Sequence, residues 1–256
     1  MSNANKRERQ KENRERARVE RDRLMKRDQR VRLIRNVAIA AALAAVVIVI
    51  VSIVSNKSSS KSSSKSCSTT APKNVPAKNT SQKAPPMTID TTKTYIATMD
   101  TSCGTMQITL DPSTAPKTVN SFVTLARQGF YDGLKFHRIV KDFVAQGGAP
   151  KADGSGGPGY NLPTEPPENG YKKYGVAMAN SGPNTTGSQF FIILSDNGAK
   201  ALGGPPYLYS GLGQVTKGTD VVDKLGKLYN SGQTNNPATQ HTSQPVYINK
   251  VTISQS

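Results

Sequence analysis

The sequence contains no tryptophan and only two cysteines and two histidines in 256 residues. Two cysteines are too few for the multiple disulfides of a small secreted scaffold or for a cysteine-based metal cluster. Cys67 and Cys103 could pair in an oxidising compartment or remain as two separate thiols, and the sequence leaves both alternatives open. Acidic residues are also scarce: 17 Asp and Glu stand against 34 Lys and Arg, which gives a formal net charge of +17.

The positive charge is concentrated outside the part of the chain that can form a hydrophobic core. Residues 1–35 contain 14 basic and 6 acidic residues, and residues 55–93 contain seven Lys and one Asp. Residues 94–256 are nearly balanced, with 13 basic and 10 acidic residues. A nucleic-acid-binding domain carries its basic footprint on the folded part. This distribution therefore argues against specific binding of nucleic acid.

The N-terminal part predicts a basic tail followed by a membrane anchor. Residues 6–35 mix Arg, Lys and Glu at helical spacing, which is typical of a solvated, partly helical tail or of a segment that contacts anionic lipid. Residues 37–54 are uncharged and mostly aliphatic, and as a helix they span about 27 Å of the roughly 30 Å hydrocarbon core. A cleaved signal peptide is the alternative, but this run and its charged flank are longer than a signal peptide requires.

Charge asymmetry predicts the orientation of the anchor. The arginines before it, ending at Arg35, place the N-terminus in the cytoplasm and the rest of the chain outside. We therefore expect a single-pass cell-membrane protein in four parts. These parts are a basic cytoplasmic tail over 1–35, a transmembrane helix over 36–55, a disordered Ser/Lys/Pro-rich linker over 56–93 and a folded extracytoplasmic domain over 94–256.

The folded part shows the pattern of a mainly β protein of the α+β class. Two apolar stretches with helical spacing predict helices over 115–128 and 221–228, and glycine density predicts an irregular loop over 154–159. Short alternating or continuously apolar stretches predict strands over 95–99, 106–110, 174–178, 190–194 and 246–253, and a hairpin over 136–148. Many short strands with two helices indicate a closed β-barrel capped by helices.

An arginine in the hairpin is the first candidate functional residue. Alternation places Arg138 on the strand face of Phe136, and places Val144 and Gln146 together on the return strand. A guanidinium among apolar side chains is costly to desolvate unless it is paired or used. His137 falls on the opposite face, and we interpret it as structural.

A polar segment over 178–192 supplies further hydrogen-bonding groups. Asn180, Ser181 and Gln189 could bind a peptide backbone, and Phe191 could line an apolar slot. The alternative is an ordinary loop whose side chains cap its own turns.

Three segments together carry a family resemblance. They read FHRIVKDFVAQGG over 136–148, GSGGPG over 154–159 and MANSGPNTTGSQFFI over 178–192. In order and spacing they resemble the cyclophilin family of peptidyl-prolyl cis-trans isomerases, over residues 94–256. The tail, anchor and linker lie outside this resemblance, an arrangement similar to membrane-anchored bacterial cyclophilins. The resemblance implies an eight-stranded antiparallel closed barrel, capped by two helices, that binds Xaa-Pro segments of unfolded or exported proteins on its outer face.

The resemblance also implies roles for individual residues. Arg138 is the implied catalytic residue, and no metal or other cofactor is implied. The family's tryptophan, which helps to bind cyclosporin-type ligands, is absent, so sensitivity to these ligands is not predicted. The implied substrate-binding residues are Phe143, Val144, Gln146, Gly154, Ala179, Asn180, Ser181, Gln189, Phe191, Leu202, Tyr209 and Leu212.

The expected function is accelerated rotation of Xaa-Pro bonds in extracytoplasmic proteins during folding. Amide resonance sets the barrier at about 18–20 kcal/mol, and rotation leaves the proline nitrogen pyramidal and more basic. A guanidinium aimed at that nitrogen would stabilise the twisted state more than either planar state. Two alternatives remain open. One is a non-catalytic module that holds Pro-containing segments as a chaperone or scaffold. The other is a basic tail that recruits ribosome, nucleic acid or lipid, with the barrel as passenger.

Overall fold

The structure is a computed structural model, and it describes residues 66–256 except 152, 205, 233, 235 and 237–239. The predicted tail, the predicted transmembrane helix and linker residues 56–65 therefore lie outside the described residues. Within the described part of the chain, no helix combines the length and apolar character needed to cross a bilayer.

Eight strands form one antiparallel sheet. They lie in the order β3-β4-β6-β5-β7-β2-β1-β8, and neighbours along the chain such as β1 and β2 pair directly. The prediction of eight antiparallel strands in a mainly β fold is confirmed. The strands are β1 (Tyr95–Thr101), β2 (Gly104–Leu110), β3 (Phe136–Val140), β4 (Val144–Gly147), β5 (Gly175–Met178), β6 (Phe190–Ile193), β7 (Gly211–Lys217) and β8 (Ile248–Gln255).

The sheet forms a half-barrel, whereas we expected a fully closed one. Its outer strands, β3 and β8, meet through a bridge between Lys135 and Tyr247, beside a backbone hydrogen bond of 3.0 Å from Phe136 N to Val246 O. Strand β8 pairs with β1 along its length, so it reaches β3 only near its beginning.

Three helices accompany the sheet, where we expected two: α1 (Pro116–Arg127), α2 (Asp196–Ala201) and α3 (Thr219–Gly226). Helix α1 begins with a proline, whose missing N–H has no intrahelical partner at that position. Helix α2 has six residues, too few to show a helical period in the sequence, and Ser195 Oγ caps it by accepting a hydrogen bond from Gly198 N. Strand β7 was also not predicted, because glycines interrupt its apolar pattern.

Alternation along the central strands divides their side chains between two apolar clusters. Phe190 and Ile192 of β6 lie in the main core, together with Ala145 of β4. Their chain neighbours Phe191 and Val144 belong to a second, smaller cluster. Because successive side chains of a strand point to opposite faces, this second cluster lies on the outer face of the sheet.

Residues 66–93 lie along the domain, so the prediction of a disordered linker is wrong for them; we name these residues the N-terminal strap. A disulfide joins Cys67 to Cys103 in the turn between β1 and β2, which resolves the alternative left open by the sequence. Ile89 is 7% exposed and joins the main core. The prediction failed because the strap has few apolar residues of its own, and a covalent bond and hydrogen bonds hold it instead.

Hydrogen bonds fix the strap at two further places. Lys78 Nζ donates to Gly129 O at 2.9 Å and to Asp132 O at 2.5 Å, just after helix α1. Gln82 N donates to Pro158 O at 2.8 Å, and the strap backbone lies so close to Gly159 that a Cβ there would meet Gln82 N at 2.7 Å. The strap therefore supports the glycine-rich loop over 154–159.

We predict that replacing both cysteines, Cys67→Ser with Cys103→Ser, lowers the free energy of unfolding by about 3 kcal/mol, because the unfolded chain loses a cross-link. The bond spans 36 residues. Denaturant unfolding of the full chain measures the change. Reductant should destabilise the wild type by a similar amount and leave the double variant unaffected. Equal unfolding of the two proteins under oxidising conditions would contradict the prediction.

Candidate functional site

Strand β3 carries Arg138 on the outer face, but its pairing with β4 is irregular. The register shifts between Phe136, which pairs with Gly147, and Arg138, which pairs with Gln146. Phe136 is 1% exposed in the main core, whereas Arg138 is half-buried on the other side. The expectation that they share a face is therefore wrong, because strict alternation does not survive this irregularity.

Two glutamines hold the guanidinium of Arg138. Gln240 Oε1 accepts from Nε at 2.9 Å and from Nη2 at 2.7 Å, and Gln146 Oε1 accepts from Nη1 at 3.0 Å. Among the described residues, no carboxylate forms an ion pair with this arginine. Burial lowers the pKa of Arg138, and Tyr209 acts in the opposite direction. An arginine stays protonated at neutral pH even so, and neutral amides orient it without cancelling its charge.

The hydrogen bonds continue from both glutamines to backbone carbonyls. Gln146 Nε2 donates to Gln189 Oε1 at 3.1 Å, and Gln189 Nε2 donates to the carbonyls of Gly154 and Gly156 at 3.1 and 3.2 Å. On the other side, Gln240 Nε2 donates to Thr234 O at 3.1 Å. Every amide thus turns its oxygen toward the arginine side and its nitrogen away from it. The network connects Arg138 to the glycine-rich loop.

The second apolar cluster forms a floor beside this network. Val144 is 2% exposed and Phe191 is 4% exposed, and the ring of Tyr209 packs edge-on against Phe191 with centroids 5.2 Å apart. Tyr209 is fixed in turn, because its backbone N donates to Tyr171 Oη at 2.9 Å. The predicted site residues Phe143, Ala179 and Leu202 pack partly buried against the same cluster.

A groove of about 710 Å³ continues from the network across the outer face. Asn180 shapes one wall: its Nδ2 donates to Leu208 O at 2.7 Å, and its Oδ1 accepts from Gly182 N at 3.2 Å. The structure brings six of the predicted residues together in its lining, namely Gln146, Gly154, Ala179, Asn180, Ser181 and Gln189.

Leu212 lies elsewhere, and its prediction as a site residue is wrong. Its side chain is 0% exposed in the main core, because β7 turns it away from the outer face. Gln240, in contrast, was not predicted. It is 102 residues from Arg138 in the chain, and no local pattern in the sequence marks it. Only the backbone bridge between His241 and Arg138 brings it near.

His137 lies on the side of the glycine-rich loop. Gly154 has φ +83°, and a Cβ at this position would meet His137 Cδ2 at 2.6 Å, so the loop needs glycine to approach the ring. The Nδ1 atom of His137 is buried without a hydrogen-bond partner among the described residues. Burial lowers the pKa of His137, the charge of Arg138 lowers it further, and Asp153 acts in the opposite direction.

This lowered pKa predicts a pH-dependent stability. Because the unfolded chain binds a proton more readily than the buried ring, the contribution of His137 is complete above its unfolded pKa of about 6.5. It is lost progressively as the pH falls from there through the folded pKa. We expect His137→Gln to show a smaller loss of unfolding free energy between pH 7 and pH 5 than the wild type, as measured by denaturant unfolding. Parallel pH dependence in both proteins would contradict this assignment.

Comparison with known proteins gives consistent relatives. A peptidyl-prolyl cis-trans isomerase of Helicobacter pylori is 40% identical over 140 residues, which are 52% of this chain and 81% of that protein. One of Synechococcus elongatus is 47% identical over 96 residues, 38% of this chain and 66% of that protein. Among solved structures, a cyclophilin type isomerase of Cryptosporidium parvum has a TM-score of 0.55 at 26% identity, covering 64% of this chain and 99% of its own. A structure of that protein in the presence of the dipeptide Ala-Pro has a TM-score of 0.54.

The family comparison covers most of the folded part. The family model described as cyclophilin type peptidyl-prolyl cis-trans isomerase/CLD matches residues 96–253. This range contains all three segments that carry the resemblance, and it includes Arg138 and Gln240. The resemblance is therefore confirmed for the domain, and the chain belongs to the cyclophilin-type peptidyl-prolyl cis-trans isomerase family.

Proposed function

We propose that this isomerase uses Arg138 to accelerate rotation of Xaa-Pro bonds in proteins that fold outside the cytoplasm. The observation that carries the proposal is the charged guanidinium held by neutral amides beside an apolar floor. Charge, donors and an apolar surface are what a twisting prolyl bond requires. The ground state is planar and delocalised, so a donor favours the twisted state, in which the nitrogen lone pair is localised.

The groove and the floor divide the substrate between them. The proline ring would lie on the floor formed by Val144 and Phe191 and partly covered by Phe143. The preceding residues would lie along the groove, where Gln146 and Asn180 offer hydrogen bonds to their backbone. Holding one side of the bond while the other turns lowers the entropic part of the barrier. Each of these steps uses binding and a fixed charge, and none transfers a proton.

Two observations support an extracytoplasmic location. Residues 37–54 have the length and composition of a membrane anchor, and the Cys67–Cys103 disulfide is typical of oxidising compartments. The basic residues of 6–35 would then contact anionic lipid on the cytoplasmic side. The structure of the Cryptosporidium parvum relative in the presence of Ala-Pro supports Pro-containing segments as the substrate class.

The alternative of a non-catalytic binding module is less well supported. A binder of proline needs the apolar floor and the groove. It does not need a half-buried arginine whose charge lacks a carboxylate partner among the described residues, because desolvating such a charge is unfavourable. The exposed charge therefore favours catalysis over binding alone.

We expect Arg138→Ala to lower kcat/KM for a short Xaa-Pro peptide by about 10²–10³-fold, because the donor to the twisted amide is lost. Arg138→Lys should recover only part of the activity, since an ammonium keeps the charge but cannot reach both glutamines as a fork. Exchange NMR of cis and trans peptide signals, with the full chain in detergent, measures the rates.

Arg127→Ala is the matched control, because Arg127 is exposed at the end of helix α1. Its activity should equal that of the wild type. If Arg138→Ala isomerises the peptide as fast as the wild type, the proposed role of Arg138 is wrong. If the wild type binds the peptide without accelerating exchange, the binding-module alternative replaces the proposed function.

For the location, we expect protease added outside intact cells, after permeabilisation of any outer barrier, to degrade residues 94–256 and leave residues 1–35 protected. Deletion of residues 37–54 should release the domain from the membrane fraction, because the apolar run supplies most of the membrane affinity. Antibodies against each end of the chain measure both effects. Protection of the folded domain in intact cells would contradict the extracytoplasmic location.

A further inference from the structure

Gln240 owes its position beside Arg138 to backbone pairing. Ser243 N donates to Leu228 O at 2.8 Å, and Asn230 N donates to His241 O at 3.2 Å, so the chain returns antiparallel on itself. His241 then forms a bridge with Arg138 of β3. This pairing brings the residue before His241 to the arginine side chain, and Gln240 is 8% exposed there.

The chemistry of its neighbours fixes the orientation of the Gln240 amide. Arg138 offers only donors, from Nε and Nη2, and the carbonyl of Thr234 is only an acceptor. Turning the amide over would place its NH₂ group against the guanidinium and its oxygen against the carbonyl, which would lose all three hydrogen bonds. The amide therefore has one favourable orientation.

A count of N–H groups shows what this contact achieves. The guanidinium has five N–H donors in a planar fork. Gln240 takes Nε–H and one Nη2–H, and Gln146 takes one Nη1–H. The two remaining donors lie on Nη1 and Nη2, at the distal end of the side chain. Bonding from both glutamines leaves this distal end as the part of Arg138 available to a substrate.

We propose that Gln240 is a positioning residue for Arg138, which fixes the guanidinium through an uncharged oxygen so that its distal donors keep their direction and their full charge. This inference rests on the proposed catalytic role of Arg138. It explains why an amide is used where a carboxylate would bind arginine more strongly. A carboxylate would also hold the fork, but it would cancel the positive charge that stabilises the twisted bond.

Two substitutions separate position from charge. Gln240→Leu and Gln240→Glu both lose the hydrogen bond to Thr234 O, but only the glutamate variant keeps an acceptor for Arg138. In Gln240→Leu we expect kcat to fall about 10-fold with KM within two-fold, because a hydrogen bond to a charged group is lost. Exchange of the Nε–H proton of Arg138 with solvent should also accelerate. In Gln240→Glu this proton should stay protected, while kcat still falls by a similar factor.

The experiment uses the full chain in detergent with ¹⁵N-labelled arginine. The Arg138 Nε–H signal is assigned by its absence in Arg138→Lys, and circular dichroism confirms that each variant is folded. Adding Gln240→Leu to Arg138→Ala should cause no further loss of activity, because Gln240 acts through the arginine. A purely structural role would lower activity in that background as well, and would thus overturn the inference.

The remaining outcomes also decide the question. Unchanged Nε–H exchange in Gln240→Leu would show that Gln240 does not position the arginine. Faster exchange with unchanged kcat would show that the positioning has no catalytic effect, and full kcat in Gln240→Glu would refute the need for an uncharged acceptor. Failure of the proposed function is visible separately, as full activity of Arg138→Ala. In that case the inference falls with it, whatever the proton exchange shows.

Discussion

The guanidinium of Arg138 and its two amide acceptors are the interaction on which the rest of the site depends. A buried or half-buried arginine in a protein usually finds a carboxylate, which satisfies its donors and cancels its charge. Here Gln146 and Gln240 satisfy three donors and leave the charge uncancelled among the described residues. The amides are themselves held by Gln189 and by backbone carbonyls. The charge is therefore stationary before a substrate binds, and this preorganisation is what electrostatic catalysis requires.

The fold supplies this arrangement from segments that are far apart in the chain. The two faces of β4 and β6 separate a main core from the outer floor, and the glycine-rich loop accepts the end of the hydrogen-bond network from Gln189. The strap contacts the same loop at Pro158 and Gly159, and the disulfide ties the strap to the β1–β2 turn. The strap is thus a structural support for one wall of the site.

The sequence predicted those parts of the fold that local patterns determine. Strands β3, β4 and β6, helix α1 and Arg138 lie in contiguous segments with clear alternation or helical spacing. The irregular register after Phe136 was not visible, because both residues look alike to a period of two. The strap was misread since its stability comes from a disulfide and backbone hydrogen bonds, which composition does not report. Gln240 was missed because its contact is made across 102 residues, and Leu212 was misplaced within a segment rich in glycine and proline.

The most direct measurement is a crystal structure of the chain with a short Xaa-Pro peptide bound. The account predicts that the proline ring lies on Val144 and Phe191, and that a distal Arg138 nitrogen lies within about 3.5 Å of the prolyl residue. It also predicts that Nε remains on Gln240. A peptide bound with its proline away from this floor would contradict the account, as would a guanidinium that leaves Gln240 to reach the substrate.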